Sequence, residues 1–359
     1  MTTTNVPIIK KLLLIFLIIA GLIFAKDFLM PIFIGGILAT LFIPLSNFLE
    51  KKQINKGLAA FICLLSLLMI FGSIIFLVSW KISELINDAE LLKEKAIDFG
   101  THLQEYIFNH LGISLEKQSQ ILQSEQPSIS SIMQFTLSSL SYLITNVILV
   151  LAYFFFLLYY RGHFKAFFLK LTATQQRGEM SQILSKATNV SQQYLLGMSK
   201  MIVCLWLMYG VGFSILGVKN ALFFAVLCGL LEIVPFVGNI TGTSLTVLVT
   251  GLHGASLSLL GGIVLTYAIV QFIQGWILEP LILGPQVKIN PLFTIIALVL
   301  GELLWGISGI ILAIPITAIL KIVCDHIESL KPYGFLIGEL ESEKTESALL
   351  KKLKARFFS

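Results

Sequence analysis

Residues 221–250 read ALFFAVLCGLLEIVPFVGNITGTSLTVLVT. The stretch is apolar enough to enter a bilayer, yet it carries a carboxyl at Glu232 and breakers at Pro235 and Gly238. A helix of about 20 residues already crosses the hydrocarbon core, so this stretch is too long for one straight span. Pro235 removes a backbone donor and unwinds the turn before it. Backbone freed at membrane depth is tolerated only where it is buried in protein or lines a cavity. A carboxyl at a helix centre costs roughly 3 kcal/mol on insertion scales and marks a functional site by default. The segment therefore reads as broken or re-entrant, with Glu232 at the interruption. Just beyond it, Asn239, Thr241 and Thr243 offer amide and hydroxyl groups to an ion or polar solute.

The rest of the chain agrees. Of 359 residues, 56% are hydrophobic and 13% charged, against roughly a quarter charged in soluble domains. Further apolar runs lie at about Leu12–Ala25, Phe28–Leu49, Gly57–Trp80, Phe135–Tyr160, Met201–Val218, Ala255–Leu278 and Leu292–Cys324. The fold class is therefore all-α and polytopic, with about eight membrane segments, two of them broken or re-entrant in the C-terminal half. The expected layout is an N-terminal hairpin at 1–56, then two spans within 57–160 that flank an extracytoplasmic amphipathic region at 81–133. Cytoplasmic amphipathic helices follow at 161–200, then a transport core at 201–325 and a cytoplasmic tail at 326–359.

Lys10, Lys11, Lys51, Lys52 and Lys56 flank the first two runs, and Arg161, Lys165, Lys170, Arg177 and Lys186 follow the fourth. By the positive-inside rule these ends, and both termini, face the cytoplasm. The scattered lysines account for a net charge of +5 without a nucleic-acid surface. Lys10 and Lys11 before an apolar run, without a small-residue cleavage site, read as an uncleaved anchor. In the outward region, Ile82, Leu85, Ala89, Leu92, Ala96, Phe99, Leu103 and Tyr106 recur three and four apart. That is the coiled-coil period; it fits a contact between protomers or an amphipathic helix packed on its own chain or the bilayer. Phe164, Phe167 and Phe168 mark a helix dipping into the membrane interface. The four cysteines have no paired spacing, so neither a disulfide framework nor a metal site is indicated, and no cofactor is implied.

The last apolar run repeats the logic of the first-quoted stretch. Glu302 lies between Gly301 and Gly306-Ile-Ser308-Gly309, with Pro315 beyond. An unpaired carboxyl there is a candidate proton carrier. Leu222-Phe223 precedes Glu232 by the interval at which Leu292-Phe293 precedes Glu302; Leu230 matches Leu300 and Ile240 matches Ile310. Paired interrupted segments at corresponding positions are a pointer to a transporter binding site. Glu279-Pro280 closes the intervening run, in which Gln271 and Gln274 share a face with Tyr267. His253 reads as a solvated loop residue. An enzyme is not indicated. Gly306-Ile-Ser308-Gly309 resembles the serine motif of an intramembrane protease, but the only later histidine, His326, lies past the last apolar run. There is neither a His-Glu-x-x-His zinc motif nor a Walker-type phosphate loop.

Several local motifs occur in a fixed order: Tyr194-Leu-Leu-Gly197, Leu216-Gly217-Val218, Asn220-Ala-Leu, Ile233-Val-Pro235-Phe-Val-Gly238, Gln274 through Leu278-Glu279-Pro280-Leu-Ile-Leu-Gly284, Asn290-Pro291-Leu, and Trp305-Gly306-Ile-Ser-Gly309-Ile-Ile-Leu-Ala313-Ile-Pro315. With them the chain resembles the autoinducer-2 exporter family of bacterial membrane proteins. The resemblance is carried by Tyr194 to Cys324; the N-terminal part agrees in layout. It implies a multi-pass protein of the bacterial inner membrane with both ends cytoplasmic, and a homo-oligomer such as a pentamer. It also implies export of small hydrophilic solutes such as the furanone-derived quorum signal, while some members look like sodium(lithium)/proton antiporters. The chain departs from the family pattern at Glu232, where an amide or apolar residue is common, and at Glu302, where a small residue is common. Extra acids favour coupling to a cation or proton. The expected partners are thus the lipid bilayer and a small polar solute, with sodium and protons in the antiporter reading. A non-transport membrane scaffold is the third reading.

Overall fold

The computed structural model of the protein describes residues 6–87, 129–235, 237–283 and 288–339. Twelve α-helices run in order through the described residues: α1 Val6–Phe24, α2 Lys26–Lys51, α3 Lys56–Asn87, α4 Ile129–Tyr159, α5 Arg161–Leu171, α6 Arg177–Ile215, α7 Ala221–Leu231, α8 Val237–Leu252, α9 Leu257–Ile273, α10 Pro291–Trp305, α11 Ile307–His326 and α12 Lys331–Ile337. A π-helical stretch, Gln274–Leu283, continues α9. The only β pairing among the described residues is an isolated bridge between Ile289 and Gly338. The all-helical expectation is met. Five helices have the length and apolarity to cross a bilayer, or six if α4 and α5, bent by 66°, form one span. At 11, 16 and 15 residues, α7, α8 and α10 extend about 17, 24 and 23 Å, short of the roughly 30 Å hydrocarbon core. The outward seam beyond Asn87 and the tail beyond Glu339 lie outside the described residues.

Two large apolar cores form, with a small third cluster of Ile289, Ala318 and Ile337. In the N-terminal half Ala39 and Phe42 of α2 pack with Ala60, Cys63 and Leu67 of α3 and with Phe154 and Leu158 of α4. In the C-terminal half Leu205, Tyr209 and Phe213 of α6 pack with Phe224 and Cys228 of α7 and with Ile263 and Val270 of α9. Helix α6 is the mast between them: it touches α2, α7, α9, the π stretch and α11. The sequence suggested surface helices up to Lys200 and a separate span from Met201. The structure instead carries one 39-residue helix through that point. No proline interrupts it, and Gly197 is filled by Leu283 from the π stretch, so the polar-to-apolar change alters its surroundings and not its backbone. The ring of large exposed apolar side chains, from Phe16 and Phe76 to Leu265 and Leu303, far exceeds what a soluble monomer shows to water and fits a lipid-facing surface.

The two overlong apolar runs each fold as a hairpin. Helix α7 starts at Ala221 and α10 at Pro291; α8 starts at Val237 and α11 at Ile307. Both pairs of starts are separated by the same 70 positions that relate Glu232 to Glu302. Close packing comes from glycines: a Cβ on Gly238 would run into the Leu231 carbonyl, and one on Gly309 into the Gly301 carbonyl. A clasp fixes the base of the second hairpin. Asn290 caps α10, its Oδ1 accepting from Phe293 N at 2.9 Å, while its Nδ2 donates to the Leu336 carbonyl at 2.8 Å and the Gly338 carbonyl at 3.2 Å.

Candidate functional site

Glu232 is the residue at which α7 stops, and it is only 5% exposed. Its Oε1 accepts from Gln274 Nε2 at 2.6 Å. Gln274, itself 3% exposed, opens the π-helical stretch. Gln271, one turn earlier, donates from Nε2 to Gln274 Oε1 at 3.2 Å and to the Tyr209 hydroxyl at 3.4 Å. The result is a chain of polar groups, Tyr209–Gln271–Gln274–Glu232, crossing from α6 through α9 to the tip of the first hairpin. Glutamines 271 and 274 meet because residues three apart share a helix face. The wider π turn after them holds Pro280 within the segment; π-helical turns are frequent at functional sites.

The second wall comes from α8. Asn239 and Thr243 lie one turn apart and are buried, at 3% and 6% exposure. Their register against α7 is set by two close approaches: Gly238 against the Leu231 carbonyl, and Gly242, whose added Cβ would stand 3.0 Å from Cys228 Cα. Cys228 is one turn before Glu232, so the polar face of α8 and the carboxyl belong to one patch. Thr246 closes this patch: its hydroxyl donates to the Gly242 carbonyl at 2.8 Å and lies 3.8 Å from the Cys228 thiol. Three buried oxygens in the patch, Glu232 Oε2, Asn239 Oδ1 and Thr243 Oγ1, have no hydrogen-bond partner among the described residues. Thr243 lies beside the Cys228 thiol. No Lys or Arg forms an ion pair with Glu232 among the described residues. Buried polar atoms are normally paired, and those that are not call for a water, an ion or a ligand.

An opening adjoins this patch. A groove of about 480 Å³ runs between α8 and α9, lined by Ile240, Thr243, Val247, Leu260, Val264 and Tyr267. Its size is in the range of small-molecule sites. Thr243 belongs both to the groove and to the buried patch, and Tyr267 is in electrostatic reach of Glu232. Glu279, on the exposed side of the π stretch, is in hydrogen-bonding reach of Gln274 and in charge–charge reach of Glu232.

The sequence model described as AI-2E family transporter matches residues 12–329. The chain belongs to the AI-2E transporter family. It is 27% identical over 318 residues to the putative transport protein YueF of Bacillus subtilis (strain 168), covering 84% of each chain. It is 23% identical over 342 residues to the putative transport protein YhhT of Escherichia coli (strain K12), covering 93% of this chain and 95% of that one. It is 21% identical over 348 residues to the AI-2 transport protein TqsA of the same organism, covering 95% of this chain and 98% of that one. The function is thus transport across a membrane, in a bacterial membrane protein.

In this AI-2E transporter hydrogen bonds join Glu232, Gln274 and Gln271, while Asn239 and Thr243 are buried on α8, which packs against α7; Pro235 and Gly238 shape the break, and Glu279 and Pro280 lie on the adjoining π turn. Thr241 is not part of the patch: it is exposed, and its hydroxyl donates back to the Val237 carbonyl at 2.7 Å. Glu302 is exposed on α10, and its carboxylate makes no hydrogen bond or ion pair among the described residues. Gly306, Ser308, Gly309 and Pro315 build the second hairpin: Gly306 turns it, Gly309 packs it, and Ser308 and Pro315 lie within α11. Tyr209 and Cys228 were not singled out from sequence as site residues. The signal for Tyr209 was its i, i+4 spacing between Leu205 and Phe213, which buries a hydroxyl that then needs a partner.

Proposed function

We propose that this AI-2E transporter exports a small polar metabolite such as the autoinducer-2 signal, and that the solute binds at the Glu232 patch. One observation carries the reading: three buried oxygens on the first hairpin, from Glu232, Asn239 and Thr243, have no hydrogen-bond partner among the described residues, and Thr243 also lines a groove of about 480 Å³. A hydroxyl-rich solute supplies the missing donors. The carboxylate accepts from it, Gln274 orients the carboxylate, and Gln271 with Tyr209 holds Gln274 in place. Transport runs by alternating access, with α7 to α11 and the π stretch moving against the frame of α2, α3 and α4. In the cell the protein is in the inner membrane with both termini cytoplasmic, because the lysine and arginine clusters then lie inside. A homo-oligomer is supported by Glu302, since a carboxyl on an exposed apolar helix face needs a neighbour other than lipid.

One relative, named AI-2 transport protein TqsA, motivates the choice of solute. The test uses everted vesicles containing the full chain. Uptake of autoinducer-2 that is lost in Glu232→Gln supports the exporter, and equal uptake in vesicles lacking the protein refutes it. A second reading, a sodium(lithium)/proton antiporter, is favoured by two carboxyls, Glu232 and Glu279, lying within charge–charge reach of each other on either side of Gln274. It predicts a sodium-dependent pH change in the same vesicles, abolished by the same substitution.

A further inference from the structure

A second cavity, of about 700 Å³, lies apart from the Glu232 patch, between α2, α4, α5 and α6. Its two ends differ in chemistry. One end is lined by Gly36, Ala39, Ile43 and Leu157. The other holds Asn47, Arg161, Lys165, Ser185 and Asn189, with Phe164 and Phe168 at the rim. From Gly36 to Asn47 the apolar-to-polar gradient extends about 16 Å along α2, roughly half a hydrocarbon core. Helix α5, bent 66° from α4, exposes Phe164, Phe167 and Phe168 alongside Lys165 and Lys170. That is the pattern of a helix lying in the membrane interface.

The polar end has free donors and no free acid. Arg161 is already committed: it donates to Glu50 Oε1 at 2.6 Å, to Asn47 Oδ1 at 2.8 Å, to Ser46 Oγ at 3.1 Å and to the Leu158 carbonyl at 3.1 Å. Glu50 is thereby neutralised, and no Asp or Glu lines the cavity. Lys165 has no ion pair or hydrogen bond among the described residues, and the same holds for the Ser185 hydroxyl and the Asn189 amide. Thr188 and Thr40, which also line the cavity, have spent their protons on the Leu184 and Ile37 carbonyls. An uncompensated ammonium flanked by a hydroxyl and amides is suited to a phosphate. The apolar end in continuity with it is suited to an acyl chain.

We propose that this cavity is a binding site for an anionic phospholipid, with the headgroup phosphate on Lys165, Ser185 and Asn189 and one acyl chain along Gly36, Ala39 and Ile43. The lipid bridges α2 of the N-terminal core to α6, the mast of the solute-binding half. Nothing in this proposal uses the Glu232 patch, so the two stand or fall separately.

The test uses the full chain, purified and delipidated in detergent. Native mass spectrometry counts retained lipid, and thermal midpoints are measured with phosphatidylglycerol, phosphatidylcholine or inorganic phosphate added. Phosphatidylglycerol is expected to bind and to raise the midpoint, with phosphatidylcholine and phosphate giving neither effect. Lys165→Gln is expected to weaken phosphatidylglycerol binding about fivefold, the worth of one basic side chain at an anionic surface, and Asn189→Ala to weaken it less. Lys170→Gln, on the same helix outside the cavity, leaves binding unchanged. Equal binding of the two lipids, or unchanged binding in Lys165→Gln, overturns the proposal. Stabilisation by inorganic phosphate alone overturns it in favour of a free-anion site.

Discussion

The two hairpins, α7–α8 and α10–α11, share a frame and differ in chemistry. Seventy positions apart, Asn239 is matched by Gly309, Thr243 by Ala313, Thr246 by Ile316 and Thr250 by Leu320. The polar positions of the first hairpin are apolar in the second, where Gly309 and Ala313 are buried, Ile316 is half-buried and Leu320 is exposed. The turns differ as well. The first hairpin begins its break at Glu232 and carries it through Pro235, so α7 ends early and Glu232 turns inward to Gln274. The second turns at one residue, Gly306, at φ 61° and ψ −140°, so α10 runs on past Glu302 and leaves it outside. The tip of the second hairpin is tied to the N-terminal half: Trp305 Nε1 donates to the Leu22 carbonyl at 2.9 Å, and its ring stands 5.5 Å from that of Phe33. No such tie is found for the first among the described residues. On the proposed reading the first hairpin carries the solute site and the second is an apolar joint to the N-terminal half.

The largest difference between them should appear in transport. Glu232→Gln is expected to lower solute flux about ten- to a hundredfold, what a charge-assisted hydrogen bond of roughly 1.5–3 kcal/mol is worth. Glu302→Gln, at the matching position, should leave flux within about twofold, because no group among the described residues bonds to that carboxylate. Parallel initial rates in vesicles with matched protein content check both. If the two losses are equal, the asymmetry is wrong.

Gly306→Ala comes next. A non-glycine residue in that backbone region costs about 1–3 kcal/mol, so the thermal midpoint falls while solute affinity is kept. Gln274→Leu is the complementary case. It leaves the Glu232 carboxyl buried with neither oxygen partnered, which costs about 1–3 kcal/mol and removes its orientation, so affinity falls too. Trp305→Phe is the mildest: it keeps the ring against Phe33, loses the bond to Leu22, and should cost about 1 kcal/mol, read as a small drop in midpoint with normal flux.

Much of this contrast was visible in the sequence, and the reason is local. Pro235, Gly238 and Gly306 break helices by their own backbone chemistry, whatever surrounds them. The 70-residue frame was visible through Leu222-Phe223 and Leu292-Phe293. Gln271 and Gln274 stood out as amides in apolar text. The facing of Glu302 was not legible, since residues three and four away from it, Leu298, Val299 and Gly306 among them, leave every side of the helix equally apolar. Tyr209 was also hidden. It lies on another helix, and only the packing of α6 against α9 brings its hydroxyl to Gln271. The continuity of α6 past Lys200 was missed because a change from polar to apolar text marks a change of solvent and carries no instruction to the backbone.

The claim that the first hairpin encloses a wet recess and the second a dry joint is tested most directly by thiol labelling at matched positions. In a cysteine-depleted background, Thr243→Cys and Ala313→Cys are each treated with a charged, membrane-impermeant methanethiosulfonate. Both native side chains are buried, at 6% and 7% exposure. Labelling of Thr243→Cys with Ala313→Cys left unmodified is the expected result. Two thiols that resist the reagent equally, or react equally, would contradict the assignment of the solute site to the Glu232 patch.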